Sequence, residues 1–282
     1  MSMKLAVSSY SFAALGIGDK ECIRLAAEMG FDAIEFAEIN PGEQDKKAYA
    51  EGLREYSEKL GLPIVNYSVG ADFLNRDLRD EINRLRGEVD IAGLLGVRNM
   101  RHDATSGKEK ERFSLNGFEK HLPTLAEGCR AVTEYAAEKG IRTSVENHGY
   151  YCQQYDRVEA LIRAVASPNF GWQVDIGNFL CADGDPLESV RTAAKYAFIV
   201  HIKDFFFSGR DEAAPEGYFD TRGGNHLCGC IPGEGIVPVK ECIDVIRSSG
   251  FDGVYTFEYE GHESPLTAIP KGLDFINPIL RS

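Results

Sequence analysis

One phrase recurs down this chain and limits what it can become: an amphipathic run, a glycine, an apolar residue, then a short apolar strand. It appears at Glu28-Met29-Gly30-Phe31, Lys59-Leu60-Gly61-Leu62, Leu94-Leu95-Gly96-Val97, Glu138-Lys139-Gly140-Ile141 and Ser248-Ser249-Gly250-Phe251. Each glycine stands where a helix can end on a left-handed residue, and the apolar residue after it can fold back on the last turn. The repeated unit is therefore a helix followed by a strand. Strands are expected at about Leu5–Ser9, Ala33–Phe36, Ile64–Ser68, Asn99–His102, Thr143–Glu146, Gly171–Asp175, Phe198–Lys203 and Val254–Glu258. Helical patterns lie between them, at Lys20–Met29 behind Asp19 as a cap, Lys46–Leu60, Leu78–Leu95, Glu119–Lys139, Asp156–Val165, Leu187–Tyr196, Val239–Ser248 and, more loosely, Leu266–Leu280. Eight such alternations specify a parallel sheet flanked by helices, closed as a barrel or open and doubly wound.

Two observations favour closure. The first strand leads into Ser8-Ser9-Tyr10-Ser11-Phe12 and not into a Gly-x-Gly-x-x-Gly turn, so the dinucleotide signature of an open sheet is missing. The chemically active residues also fall at the ends of four successive strands, the fifth to the eighth, as they do around a barrel mouth. The expected fold is an α/β (β/α)8 TIM barrel, one domain over residues 1–282. Glu146 to Asp175 and Asp175 to His201 each span about one unit, whereas His201 to Glu258 spans about two. The excess lies in an extended insert at about 205–237 after the seventh strand, holding Gly223-Gly224-Asn225-His226 and Pro232-Gly233-Glu234-Gly235. A loop that long at the active end of a barrel is expected to be a lid or a substrate-binding insert.

The four strand ends carry the chemistry. Thr143-Ser144-Val145-Glu146-Asn147-His148, Gly171-Trp172-Gln173-Val174-Asp175, Phe198-Ile199-Val200-His201-Ile202-Lys203-Asp204 and Val254-Tyr255-Thr256-Phe257-Glu258 run through apolar strand formers and finish on polar groups. Glu146, Asp175, His201 and Glu258 aimed at one place suggest a divalent metal site. Oxygen ligands with one imidazole suit Mn²⁺, Mg²⁺, Co²⁺ or Fe²⁺ better than a thiolate zinc site, with Zn²⁺ left open. Such an ion would hold neighbouring sugar oxygens, polarise a carbonyl and stabilise the enediolate left when the adjacent carbon loses a proton. Glu146 and Glu258 could flank the substrate as base and acid. Side chains two apart share a face, which brings Lys203 in with His201, His148 with Glu146 and Glu260 with Glu258. Lys203 binds a substrate oxygen or forms a rim salt bridge with Asp204 or Glu260, and the two readings are evenly weighted. His102 lines the pocket or pairs with Asp103; Glu35 and Glu38 reach the mouth or remain surface charges. Trp172 reads as barrel packing, and Phe205-Phe206-Phe207 as core behind the loop or an apolar pocket wall.

Charge and composition exclude several partners. With 31 Lys and Arg against 44 Asp and Glu the net charge is −13, and no basic cluster stands out, so nucleic acid and anionic membranes are disfavoured and a small, neutral or metal-held substrate fits better. The N-terminal Met1-Ser2-Met3-Lys4-Leu5-Ala6-Val7 turns polar before a signal-peptide core develops, and no apolar run approaches the ~20 residues of a membrane span. A cytoplasmic protein is expected. Its seven cysteines are odd in number and scattered, which argues for reduced thiols rather than a disulfide framework.

The segments Val145-Glu146-Asn147-His148, Val174-Asp175-Ile176-Gly177-Asn178, His201-Ile202-Lys203-Asp204 and Phe257-Glu258, on an eight-unit chain, resemble the sugar phosphate isomerase/epimerase family of xylose isomerase-like TIM barrels. Ketose 3-epimerases, hydroxypyruvate isomerase, inosose dehydratases and isomerases and endonuclease IV are its relatives. The resemblance implies Glu146, Asp175, His201 and Glu258 as metal ligands, one ion per chain with Mn²⁺ foremost, and the two glutamates as acid and base. It implies a carbohydrate substrate and is compatible with a homo-oligomer; the residues expected to contact the substrate are Lys203, His148 and His102 from their strand positions, and Asn178 at a position that contacts substrate in the family. Where ketose 3-epimerases carry His, Arg and Glu, this chain has Asn178, Phe207 and Cys152, which argues against a plain ketose epimerase. The leading expectation is a metal-dependent isomerase or epimerase acting on a ketose, inosose or related keto compound. The alternatives are a lyase expelling a group β to the carbonyl, to which Pro232-Gly233-Glu234-Gly235 gives a faint inosose-dehydratase flavour, and a non-catalytic carbohydrate-binding barrel. An endonuclease is disfavoured by six histidines and the acidic balance.

Overall fold

The glycine phrase closes its helices as the sequence demands. In the computed structural model, which describes residues 4–114 and 116–281, Gly30, Gly61, Gly96, Gly140 and Gly250 all have φ between 69° and 87°. After the first helix, Gly30 N–H donates to Ala27 O and Phe31 N–H to Ala26 O (both 3.1 Å), the paired bonds of a Schellman motif. Phe31, Leu62, Val97 and Ile141 are then buried, so each helix end is stapled to the strand that follows. Met1–Met3, on which part of the N-terminal reading rests, lie outside the described residues.

In chain order the elements are β1 (Lys4–Ser8), α1 (Asp19–Glu28), β2 (Ala33–Ala37), α2 (Lys46–Lys59), β3 (Ile64–Val69), α3 (Leu78–Leu95), β4 (Asn99–His102), α4 (Phe118–Glu138), β5 (Arg142–Glu146), α5 (Tyr155–Val165), β6 (Phe170–Asp175), α6 (Pro186–Ala193), β7 (Ala197–Ile202), β8 (Asp204–Ser208), β9 (Phe219–Asp220), β10 (His226–Cys230), α7 (Val239–Ser248), β11 (Val254–Phe257) and α8 (Pro265–Arg281). Seven consecutive strands, β1 to β7, and then β11 close into a parallel barrel; β11 pairs with both β7 and β1. The expected strands and helices are all present, with ends shifted by a residue or so, except that the helix expected over Leu187–Tyr196 ends at Ala193 and Ala194–Tyr196 form a 3-10 turn. Asp19 is the exception in role: it opens α1 from inside, and Gly18 takes the cap position.

The insert is a second sheet, antiparallel, in the order β8-β10-β9. Its Phe205 and Leu227 pack with Cys181 and Tyr150, which seats it on the short 3-10 turn Asn178–Ala182 after β6. Phe205 is core, as one of the two readings expects, while Phe206 and Phe207 are exposed and line no part of the cavity at the strand ends. Asp204 anchors the join: it is buried, and its carboxylate accepts the backbone N–H groups of Phe205, Gly233, Gly235 and Val237 at 2.8–3.0 Å. Trp172 is buried in the barrel wall, donating to Asn147 Oδ1 (3.0 Å), and all seven cysteines are free and buried. No helix among the described residues is long and apolar enough to cross a membrane.

Candidate metal centre

Parallel strands end at one rim, and their pairing brings the four strand-end residues together there. Asp175 pairs with His201 across β6 and β7, His201 with Thr256 across β7 and β11, and Glu146 with Gln173 across β5 and β6. Glu146, Asp175, His201 and Glu258 each offer a ligand atom, all within 4.8 Å of one another, and all four residues are buried.

Two of these atoms lack hydrogen-bond partners. Asp175 Oδ1 accepts from Gly177 N (2.9 Å) and Asn178 N (3.0 Å), which turns Oδ2 inward, where it is buried without a hydrogen bond. His201 Nδ1 is likewise unpartnered, 3.9 Å from Asp175 Oδ2 and 3.5 Å from Glu258 Oε2. The Lys203 ammonium lies 3.3 Å from Asp175 Oδ2 and offsets part of its charge, but His201 Nδ1 has no such partner, and the convergence of these atoms amid further carboxylates could hold a cation. Three carboxylates and one imidazole fit a divalent ion.

Charge in the site is finely opposed. Burial pushes the Asp175 carboxyl up to about 6, against the pull of Lys203. Burial raises Glu258 too, but Lys203 Nζ at 2.7 Å and His201 outweigh it and hold this carboxyl well below the usual range. For His201 burial disfavours the charged ring, yet Glu35 and Glu258 prevail and keep the imidazolium to well above its ordinary pKa.

Sequence reasoning missed the inner layer of the site. Glu35, read as a mouth or surface charge, is fully buried inside the barrel; its carboxylate faces His201 Nε2 at 2.9 and 3.1 Å and accepts from Ser68 Oγ (3.0 Å) and Thr256 Oγ1 (3.2 Å). With Nε2 so engaged, Nδ1 is the nitrogen left for an ion. Arg101 is also inward and buried, with Nη2 2.9 Å from Glu146 and 2.7 Å from Asp103. Gln173 donates to Glu146 Oε2 (3.0 Å) and accepts from Asn66 (2.7 Å). The alternation of β2 and β4 was the available signal, since Glu35 and Arg101 take the inward phase.

Of the other sequence candidates, Lys203 is buried, pairs with Glu258, Asp175 (3.3 Å) and Glu260 (3.2 Å), and leaves Asp204 to the loop. Asn178 bridges the centre, donating to Glu146 Oε1 (2.9 Å) and accepting from Lys203 (3.4 Å). His148 stands at the mouth, its Nδ1 3.1 Å from Asp103. His102 is a correction: it takes the outward phase of β4, is fully buried between Phe73 and Phe170, and lines no part of the cavity. Burial pushes its pKa down to about 4, so it is a neutral core residue, with Nδ1 2.8 Å from Asp103 O.

The cavity above the quartet holds about 300 Å³, walled by Tyr10, Ser68, Arg101, His148, Lys203 and Glu260 among others. None of its lining comes from the insert, which was expected to be a lid or a substrate-binding segment. A larger groove of about 670 Å³ lies outside the barrel along α3 and α4, by Leu78, Arg86 and Glu127, and contains none of the quartet.

A closed parallel barrel whose strand ends gather four side chains that could hold a metal ion defines the class of this protein. The chain belongs to the xylose isomerase-like TIM barrel family, whose profile matches residues 23–279. It is 22% identical over 273 residues to L-ribulose-5-phosphate 3-epimerase UlaE of Escherichia coli strain SE11, covering 91% of this chain and 88% of that protein. The fold matches the probable 3-DHS dehydratase AsbF of Bacillus anthracis with a TM-score of 0.76 at 18% identity, covering 98% of this chain and 99% of the other. A xylose isomerase-like TIM barrel protein from Mycobacterium smegmatis in complex with magnesium matches with a TM-score of 0.74 at 17% identity, over 99% and 97% of the two chains.

Proposed function

We propose that this protein is a divalent-metal-dependent sugar isomerase or epimerase that moves a proton at the carbon beside a ketose or inosose carbonyl. The observation that carries the reading is the convergence of four buried ligand atoms within 4.8 Å, two of them without hydrogen-bond partners. Glu146, Asp175, His201 through Nδ1, and Glu258 would hold the ion, with Mn²⁺ our first choice for so oxygen-rich a set. When bound, the ion polarises the carbonyl and lowers the cost of negative charge on the neighbouring oxygens.

The remaining steps belong to side chains. Glu146 and Glu258 stand at the ends of β5 and β11, three strands apart around the barrel, and act as base and acid on the substrate carbon. They are supported differently. Glu146 accepts from Gln173 and Asn178 and pairs with Arg101, a fixed polar setting on both its oxygens. Glu258 rests against the Lys203 ammonium, which also meets charge developing on a substrate oxygen. Asn178 ties the two halves together and His148 closes the mouth over the substrate.

Metal content of the purified protein beside His201→Ala and Glu258→Gln tests the site, and solvent deuterium uptake by a panel of ketoses and inososes tests the chemistry. About one ion per chain, weakened in the variants, with exchange into at least one sugar is the expected result. Protein that stays empty with Mn²⁺, Co²⁺ and Zn²⁺ would sink the reading and favour a binding protein. A second reading, elimination, draws on one observation: Asp103 orients His148 at the mouth, a third acid/base group that a two-glutamate proton shuttle does not use. Appearance of an ultraviolet-absorbing enone in place of exchanged substrate would select it.

A further inference from the structure

The glycine-rich segments able to cradle a phosphate are already filled by the protein's own carboxylates. Gly223 N–H donates to Asp183 Oδ2 (2.5 Å) and Gly224 N–H to Thr221 O (3.1 Å), while Asp183 Oδ1 takes Thr221 Oγ1 (2.6 Å) and Asn225 Nδ2 (2.9 Å). Gly233 and Gly235 N–H both donate to Asp204 Oδ2 (2.9 and 3.0 Å). Backbone N–H groups turned to a common point make an anion site. Here both points hold an internal anion, and the second is a buried one whose displacement would strand its charge.

The side-chain cations facing the cavity are committed in the same way. Arg101 meets Asp103 and Glu146, His148 meets Asp103, and Lys203 meets Asp175, Glu258 and Glu260. At the rim the field is negative: the charge of Glu260, more than burial, raises the pKa of the Tyr10 phenol. A dianion entering this mouth meets Glu260 as well as His148, and each of the three cations is worth little to it unless its present partner is abandoned. Sugar hydroxyls, in contrast, find acceptors in Glu258 and Glu260 and donors in Lys203 and Arg101.

We propose that the sugar this cavity takes is uncharged and carries no phosphate, unlike the sugar phosphate in the name of the UlaE relative. This rests on the isomerase reading above for its substrate class but not for its test.

The test is calorimetric titration of the full chain, metal-free and Mn²⁺-loaded, with inorganic phosphate and with ketopentose and ketohexose phosphates, on wild type and Glu260→Gln. Glu260 is partly exposed, so the variant should fold. The expected result is no saturable binding of any phosphate. Saturable binding that strengthens about tenfold in Glu260→Gln, as removal of a nearby negative charge would cause, places phosphate in the cavity and overturns the proposal. Saturable binding indifferent to Glu260→Gln lies elsewhere on the protein and leaves the proposal standing. Failure of every sugar to exchange deuterium would refute the isomerase reading alone, because the titration requires no turnover.

Discussion

Replacing Glu35 by Gln probes the layer beneath the metal ligands. The substitution is nearly isosteric, and an amide oxygen at the Oε1 position can still face His201 and accept from Ser68, while Thr256 rotates its hydroxyl to accept from the new NH₂ group. Packing and hydrogen-bond count are thus preserved, and the loss is one buried negative charge against the back of the imidazole. A hydrogen bond to a charged group contributes about 1.5–3 kcal/mol and a neutral one about 1 kcal/mol, so the difference is on the order of 1–2 kcal/mol. Carboxylates behind metal-ligating histidines typically govern affinity by about 10–100-fold, in agreement with that figure. Glu35→Gln should therefore weaken Mn²⁺ binding by roughly tenfold or more, read by chelator competition with circular dichroism confirming an intact fold. Glu35→Leu should do worse, leaving the His201 Nε2, Ser68 and Thr256 donors without their acceptor and destabilising the fold by about 3 kcal/mol or more. Unchanged or tighter binding in Glu35→Gln would refute the argument that the buried negative charge behind His201 strengthens it as a ligand.

Three further outcomes are expected. Near pH 7 the His201 ring carries a proton that an ion at Nδ1 must expel, so binding should release about one proton per ion, and more below pH of about 6, where Asp175 is also protonated and affinity falls; calorimetry in buffers of different ionisation enthalpy measures this, and proton-neutral binding would contradict it. Burial pushes the Glu81 carboxyl up, but Arg84, the Asp72 N–H and Arg76 outweigh it and hold it at about 2, below its usual 4.5. Its stabilisation is therefore full above about pH 4.5 and disappears as pH falls toward 2; Glu81→Gln should cost about 1–2 kcal/mol at neutral pH, after allowing for its partly exposed arginine partners, and flatten the acid limb of urea-denaturation stability. His102→Phe should leave metal affinity unchanged within about twofold, because the ring is outside the cavity and already neutral; a tenfold loss would return His102 to the site.

What was legible in the sequence and what was not divides along one physical line. Strand ends announce themselves, because a buried parallel strand is an apolar run and the polar residue that stops it is conspicuous: Glu146, Asp175, His201 and Glu258 were found this way, and all four meet. Polar residues inside a strand are marked only by alternation, which separates two phases without saying which of them faces the axis. Glu35 lies between Ile34 and Phe36, both fully buried, and only the barrel's curvature decides that 34 and 36 face the helices while 35 faces the axis. The same one-residue phase separates Arg101, which reaches Glu146, from His102, which packs on Phe73.

The insert was opaque for a related reason. Its strands pair antiparallel through Phe207 and Leu227, contacts set by a turn the helix-strand repeat does not encode. Buried polarity in the barrel floor then follows from the site. Asn66 and Gln173 extend from Ser68 to Glu146, so Glu35 at one end and Glu146 at the other share one hydrogen-bonded layer under the cavity. A polar layer of this kind costs stability unless its members are satisfied, and here the hydrogen bonds run through the two residues that steer the metal ligands, with Asn66 Oδ1 the one atom of the layer left without a partner. The floor that looks least like a hydrophobic core is therefore the part of the core that belongs to the site.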